Sequence, residues 1–161
     1  MIKEKTQEDS TMDHSIKAGE LFLSGCNCAQ AVFLAFTDVT GMDTKTAAKI
    51  SSSFGGGMGR MREVCGAVSG MLMVLGILYG YDDTVESDSQ KQAHYKNIQA
   101  LAAKFREECG SIVCREILKN PPSDPNPTPR TAEFYAKRPC ARMVMTAARL
   151  MDEFIAEHPI G

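Results

Sequence analysis

The sequence predicts an all-α fold, a single-domain bundle of about six to seven helices. Three observations carry this. Apolar residues recur at spacings of three and four through most of the chain, as they do on the buried face of a helix. No segment sustains the alternation of a half-buried strand. Glycines, prolines and capping side chains punctuate the periodic stretches at helical lengths. The 161 residues suffice for one sizeable core and are short for two. Residues 13–161 therefore read as one helical domain, and residues 1–12 as a frayed segment before it.

The first helix runs from about Asp13 to Ser24. It stops at Gly25, a residue that tolerates the left-handed conformation on which helices end. The second covers about Cys28 to Asp38, and Gly41 ends its turn. Asp43 caps the third, in "DTKTAAKISSSF". The glycine loop "GGGMGR" follows. The fourth helix, about Val64 to Tyr79, is apolar on every side, the pattern of a fully buried central helix. The fifth runs from about Glu86 to Cys109, with Ile98, Leu101, Ala102, Phe105 and Cys109 on one stripe and Gly110 behind it. A short sixth is "SIVCREIL". The stretch "NPPSDPNPTPR" holds five of the seven prolines. Proline blocks regular structure and stiffens the chain, so this is an extended surface crossing. It is either a connector or a lid or docking strand. The last helix runs from about Pro139, a good first-turn residue, to His158.

Apolar residues make up 43% of the chain and charged residues 24%, with net charge −2. That is an ordinary globular composition, and it points to neither nucleic acid nor an anionic membrane. Ten methionines and no tryptophan fit a helical core, whose irregular gaps methionine fills. The N-terminus "MIKEKTQEDSTMDHS" lacks the apolar run of a secretory signal, so a cytoplasmic protein is expected. Val64 to Tyr81 is uncharged for 18 residues, the lower edge of a membrane span. Four glycines interrupt it and Asp82 and Asp83 close it, so no membrane is expected. Small-residue faces and the methionines make a homodimer compatible with the pattern.

Six cysteines in a chain expected in a reducing compartment point to metal or redox chemistry rather than structural disulfides. Cys28 is followed by Val32, Ala35 and Phe36, Cys114 by Ile117 and Leu118, and Cys140 by Val144, Ala147, Ala148 and Met151. Each thiol lies on the apolar stripe of its own helix, near that helix's start. Cys65 begins the apolar helix. Backbone amides and the helix dipole favour thiolate at such positions. Converging, the four would form a thiolate pocket lined by backbone donors, which also tune a cluster's potential.

A buried free cysteine is equally an ordinary small hydrophobe. That reading is preferred for Cys26, which lies off the Cys28 stripe, and for Cys109, at a helix C-terminus. Both are secondary thiols that could still resolve a disulfide. His14, His94 and His158 have no metal-ligand spacing and read as surface or boundary residues. The absence of C-x-x-C argues against a thioredoxin-like pair and an ordinary zinc ribbon. "FGGGMGR" lacks the Lys-Ser/Thr of a phosphate loop. Its Gly55, Gly56 and Gly57 let the chain turn sharply and pass close to a helix or to the thiols. Gly66 and its small neighbours Ala67, Ser69 and Gly70 let the start of the fourth helix approach other backbones. Arg60 and Arg62 read as solvated, or as offsetting the charge of a thiolate site.

These same stretches carry a resemblance. "GCNCAQAV", "FGGGMGR", "CGAVSG", "CREIL" and Cys140, within about residues 15–150, resemble the C_GCAxxG_C_C family of redox-active proteins. The four cysteines of the family's name match Cys28, Cys65, Cys114 and Cys140, while Cys26 and Cys109 look like additions. Where the name has Gly-Cys-Ala, this chain has Cys65-Gly66-Ala67. The family's cysteine set is similar to that of a domain that accompanies an iron–sulfur centre in haem-carrying relatives. The resemblance implies redox chemistry or cluster binding and names no substrate.

The expected function is electron transfer, to or from an unidentified redox partner protein, by an iron–sulfur cluster on those four cysteines. Four thiolates suit [2Fe–2S] or [4Fe–4S], and the resemblance favours the smaller. The alternatives are a metal-free thiol–disulfide redox protein and a structural zinc-binding module with four cysteine ligands. Copper(I) also suits soft thiolates. No Ser-His-Asp or Cys-His constellation is legible, so any catalysis would be that of an oxidoreductase.

Overall fold

Capping side chains and left-handed glycines divide the chain into helices, and the regular elements among the described residues are all helical. The computed structural model describes residues 13–82 and 88–160. The segment 1–12, expected to be frayed, lies outside them, as does the expected start of the fifth helix at Glu86. In chain order the helices are α1 (Asp13–Leu23), α2 (Cys28–Ala35), α3 (Thr37–Thr40), α4 (Thr44–Ser52), α5 (Gly66–Tyr79), α6 (Asp88–Cys109), α7 (Cys114–Ile117), α8 (Ala132–Lys137) and α9 (Cys140–Glu157). Six of them run seven residues or longer.

Local chemistry accounts for the boundaries. Asn27 and Gln30 form a reciprocal capping box at the start of α2: Gln30 N donates to Asn27 Oδ1 (2.9 Å), and Asn27 N donates to Gln30 Oε1 (3.1 Å). Asp43 caps α4 by accepting from Thr46 N at 2.9 Å. Gly25, Gly41 and Gly110 follow helix ends with positive φ. Three boundaries differ from the sequence reading. The second helix breaks at Phe36, whose buried ring stacks on His14 with centroids 4.2 Å apart. Pro139 precedes α9 as its cap instead of lying in its first turn. Helix α8 was not foreseen; it is capped by Thr131, which accepts from Phe134 N, and is too short to display a period.

The central helix is α2, not α5. Every residue from Ala31 to Ala35 is buried, with α1, α4, α5 and α9 packed around it. Helix α5 buries Val68, Met71, Val74 and Leu75, while Ile77 is 47% exposed. No helix among the described residues is long and apolar enough to cross a membrane. Helix α5 crosses α2 closely enough to exclude side chains. A Cβ on Gly70 would stand 2.7 Å from Ala29 O, and one on Gly66 would stand 3.1 Å from Cys28 Cβ.

A polar lock ties three helices together within this core. His14 is only 4% exposed, which corrects the reading of it as a surface or boundary residue. Its Nδ1 meets Asp152 Oδ1 at 2.7 Å and its Nε2 meets Asp38 Oδ1 at 2.9 Å, joining α1, α9 and α3. Burial alone would lower its pKa. The bonds and charges of Asp152 and Asp38 outweigh that and raise it from 6.5 to about 9.

Two outcomes are expected. Gly70→Ala drives a methyl into backbone and should lower urea-unfolding stability by about 1–3 kcal/mol. Gly76→Ala, where nothing lies within 4 Å of the added Cβ, should raise it by about 0.5–1 kcal/mol. For His14 the folded pKa lies above the unfolded one. Its contribution is therefore full below pH 6.5 and is lost as pH rises through about 9. Between those values wild-type protein should lose up to about 3 kcal/mol more than His14→Gln in the same urea titration.

Candidate functional site

Four of the six cysteines stand at helix starts. Cys28, Cys114 and Cys140 are the first residues of α2, α7 and α9, and Cys65 is the cap residue of α5. A short antiparallel bridge between Val64 and Val113 sets two of them side by side. Cys65 N donates to Ile112 O (2.7 Å) and Cys114 N to Glu63 O (2.6 Å). The glycine turn folds beneath this bridge. At Gly57, φ is +69°, and an added Cβ would stand 2.7 Å from Cys114 Cβ and 2.8 Å from Glu63 N, so neither conformation nor space admits a side chain. Gly55 lies against the Asn27 side chain, Gly56 lines the pocket, and Gly66 admits Cys28.

Together these contacts bring Cys28, Cys65, Cys114 and Cys140 to one pocket of about 30 Å³. Cys65, Cys114 and Cys140 are buried and Cys28 is half-buried. The pocket does not include Cys26 or Cys109, which pack half-buried at the edge of the core. All four cysteines line the space, while among the described residues no group of three or more His, Cys, Asp or Glu side chains converges as a metal-binding group.

Arg62 closes one side of the ring. It is 4% exposed, correcting the solvated reading, and its φ is +61°. Its Nε donates to Pro122 O (3.0 Å) and its Nη1 to Cys114 Sγ (3.7 Å). Its Nη2 has no partner among the described residues. A guanidinium held out of water requires negative charge nearby, and sulfur is what it faces. Arg60 donates to Asp124 O (2.8 Å) and Thr128 Oγ1 (2.7 Å). The two arginines thereby fasten the proline-rich segment as an outer wall of the site.

The thiols are electrostatically unequal. The neighbouring Cys28 side chain first, and then Arg138, Arg130 and Arg62, lower Cys140 to about 7 against burial. Cys28 is pushed well up, first by the Cys140 side chain and then by burial and the neighbouring sulfurs. Burial pushes Cys65 up to about 12, despite the Ala67 and Val68 amides. Burial also raises Cys114, against the pull of Arg62. Cys28 and Cys140 therefore titrate as a pair, with Cys140 the more readily ionised of the two. Chemically the site offers four soft donors, one ionised near neutrality, beside a fixed positive charge.

Sequence reasoning missed three contributors. Arg130 and Arg138 went unremarked, although Arg138 lies two residues before Cys140. The Val64–Val113 bridge was also missed; the repeated Val-Cys pair at 64–65 and 113–114 is its only local trace.

The family model described as "Putative redox-active protein (C_GCAxxG_C_C)" matches residues 26–154, a span that contains all four pocket thiols. Neither the curated proteins nor the solved structures provide a match.

In metal-free, reduced protein, ultraviolet thiolate absorbance should show one thiol ionising near pH 7. Cys140→Ala should remove that step and slow alkylation by iodoacetamide at neutral pH by about tenfold or more. Cys26→Ala should leave both unchanged.

Proposed function

The chain belongs to the C_GCAxxG_C_C family of redox-active proteins, and on that premise we propose that Cys28, Cys65, Cys114 and Cys140 hold an iron–sulfur cluster of the [2Fe–2S] type for electron transfer. One observation carries the reading: four thiols from four separate helix starts share a pocket with a buried guanidinium whose Nη2 is unpartnered among the described residues. A dithiol mechanism uses two sulfurs and leaves Cys65 and Cys114 without a task. An all-thiolate donor set with a permanent positive charge beside it suits an anionic iron–sulfur centre. When bound, the cluster supplies a one-electron couple.

The chain's own residues define the surroundings. The Ala67 and Val68 amides favour the ionised form of Cys65, against its burial. Arg62 offsets negative charge where water does not reach. The wall pinned by Arg60 and Arg62 shapes the outer approach to the thiols, and solvent access there is a lever on redox potential.

A second reading rests on the contact between Cys28 and Cys140. A thiolate near neutrality beside a protonated thiol is the arrangement of a redox dithiol. In that chemistry the thiolate and the thiol together give two electrons to a disulfide or other two-electron oxidant and release one proton as their disulfide forms.

Protein purified without oxygen distinguishes the readings by visible spectrum and metal analysis. The cluster predicts charge-transfer absorption that bleaches on reduction, with about two iron and two sulfide per chain. Serine at any of the four pocket positions should remove most of the iron, and Cys26→Ser or Cys109→Ser should retain it. Colourless, iron-free protein that forms a Cys28–Cys140 disulfide on oxidation would replace the cluster with the second reading. Colourless protein with stoichiometric zinc would replace both.

A further inference from the structure

On the outer side of the thiol pocket lies a larger cavity of about 310 Å³. The two share Cys28, Cys140, Gly56 and Arg62 as walls. Four arginines line the larger cavity, namely Arg60, Arg62, Arg130 and Arg138, and no carboxylate does. Its remaining surface includes the rings of Phe22 and Phe134 and the proline wall at Pro125 and Pro127.

The arginines are held in place. The Arg130 guanidinium lies 4.6 Å and 4.8 Å from the centres of the Phe22 and Phe134 rings. It donates to Phe22 O at 3.3 Å and to Cys26 O at 3.2 Å. Arg138 also packs on Phe134, 5.2 Å from the centre of its ring. Arg60 is fixed by Asp124 O and Thr128, and Arg62 by Pro122 O. Asp124 stands 3.9 Å from Arg60, is half exposed and is not part of the lining.

Stacked and hydrogen-bonded guanidinium groups present fixed forks that match the oxygens of carboxylate or phosphate. Four of them around one cavity outnumber the negative charge its walls offer, which comes from Cys140 alone. The aromatic and proline surfaces suit a carbon skeleton between anionic ends, and the volume lies at the low end of small-molecule sites.

The geometry points to a binding site for a small organic anion carrying two or more negative charges, as carboxylate or phosphate, seated against Cys28 and Cys140. This goes beyond the redox reading and does not depend on what the thiols hold. The anion lies on the open side of the site, where an exchanging molecule enters, and the four-thiol pocket lies behind it.

Isothermal titration calorimetry on the full chain at fixed ionic strength tests this, with succinate and glycerol 3-phosphate as separate probes and neutral succinamide as control. At least one anion should bind with a dissociation constant of about 1 mM or tighter, and succinamide should not bind. The stronger of the two anions identifies the oxygen chemistry preferred. Arg138→Gln should weaken that anion about tenfold, and Arg138→Lys should recover most of the loss. Arg149→Gln removes a cation that pairs with Glu108 and Glu153 outside the cavity, and should change nothing. Unchanged thermal midpoints in all three variants separate a lost contact from a lost fold. The inference is overturned if neither anion binds at about 10 mM, if succinamide binds as well as succinate, or if Arg149→Gln weakens binding as much as Arg138→Gln. Iron is measured in the same samples. Iron-free protein that binds the anion overturns only the cluster, and iron-loaded protein that binds none overturns only the anion site.

Discussion

A positive charge kept out of water organises this molecule. Arg62 sits in left-handed backbone between the glycine turn and the Val64–Val113 bridge, and its guanidinium reaches Cys114 on one side and the proline wall on the other. Burying such a group without compensation costs several kcal/mol. Its hydrogen bonds to Pro122 O and Cys114 Sγ offset part of that cost. The glycines at 56 and 57 give the turn its shape, the bridge aligns Cys65 with Cys114, and the starts of α2 and α9 bring in the other two thiols.

Much of the architecture was legible because it is written in short-range chemistry. Gly25, Gly41 and Gly110 end helices for a reason visible in any sequence, and Asp43 starts one for another. The four pocket cysteines were legible as a set because each begins an apolar stripe, and a stripe points inward wherever the helix packs. What escaped notice depends on tertiary contacts. Arginine is ordinarily solvated, so nothing local distinguishes a buried Arg62 from an exposed one. The Val64–Val113 bridge joins single residues and leaves no alternation to detect. Helix α5 looked central because it is apolar throughout, yet α2 occupies the centre; its eight residues are too few for a periodic signal to show that both faces are covered.

The two polar centres of the fold lie at opposite ends of α9. Cys140 begins that helix, and Asp152, which holds His14, lies about three turns further along, roughly 18 Å away at the rise of an α-helix. Between them Val144, Ala147 and Ala148 are fully buried. The His14 lock fastens α1 and α3 to the C-terminal half of α9, while the thiols use its N-terminal end. Stability and chemistry are thus assigned to separate polar groups joined by one dry helix face.

The scattering of the pocket thiols along the chain has a consequence for how the site comes to exist. Where cysteines are neighbours in sequence, a metal also binds the unfolded chain, which reduces how much binding stabilises the fold. Here Cys28, Cys65, Cys114 and Cys140 come from four helices separated by long stretches of other structure, and the bridge and glycine turn must form before they share a space. The pocket is thus a product of completed folding, and α9 supplies one of its walls through Cys140 and Met143. Anything that engages all four sulfurs binds the native arrangement alone and draws the whole folding equilibrium toward it. Selectivity then resides in the shape that folding imposes, and a half-finished chain offers a stray ion little to hold.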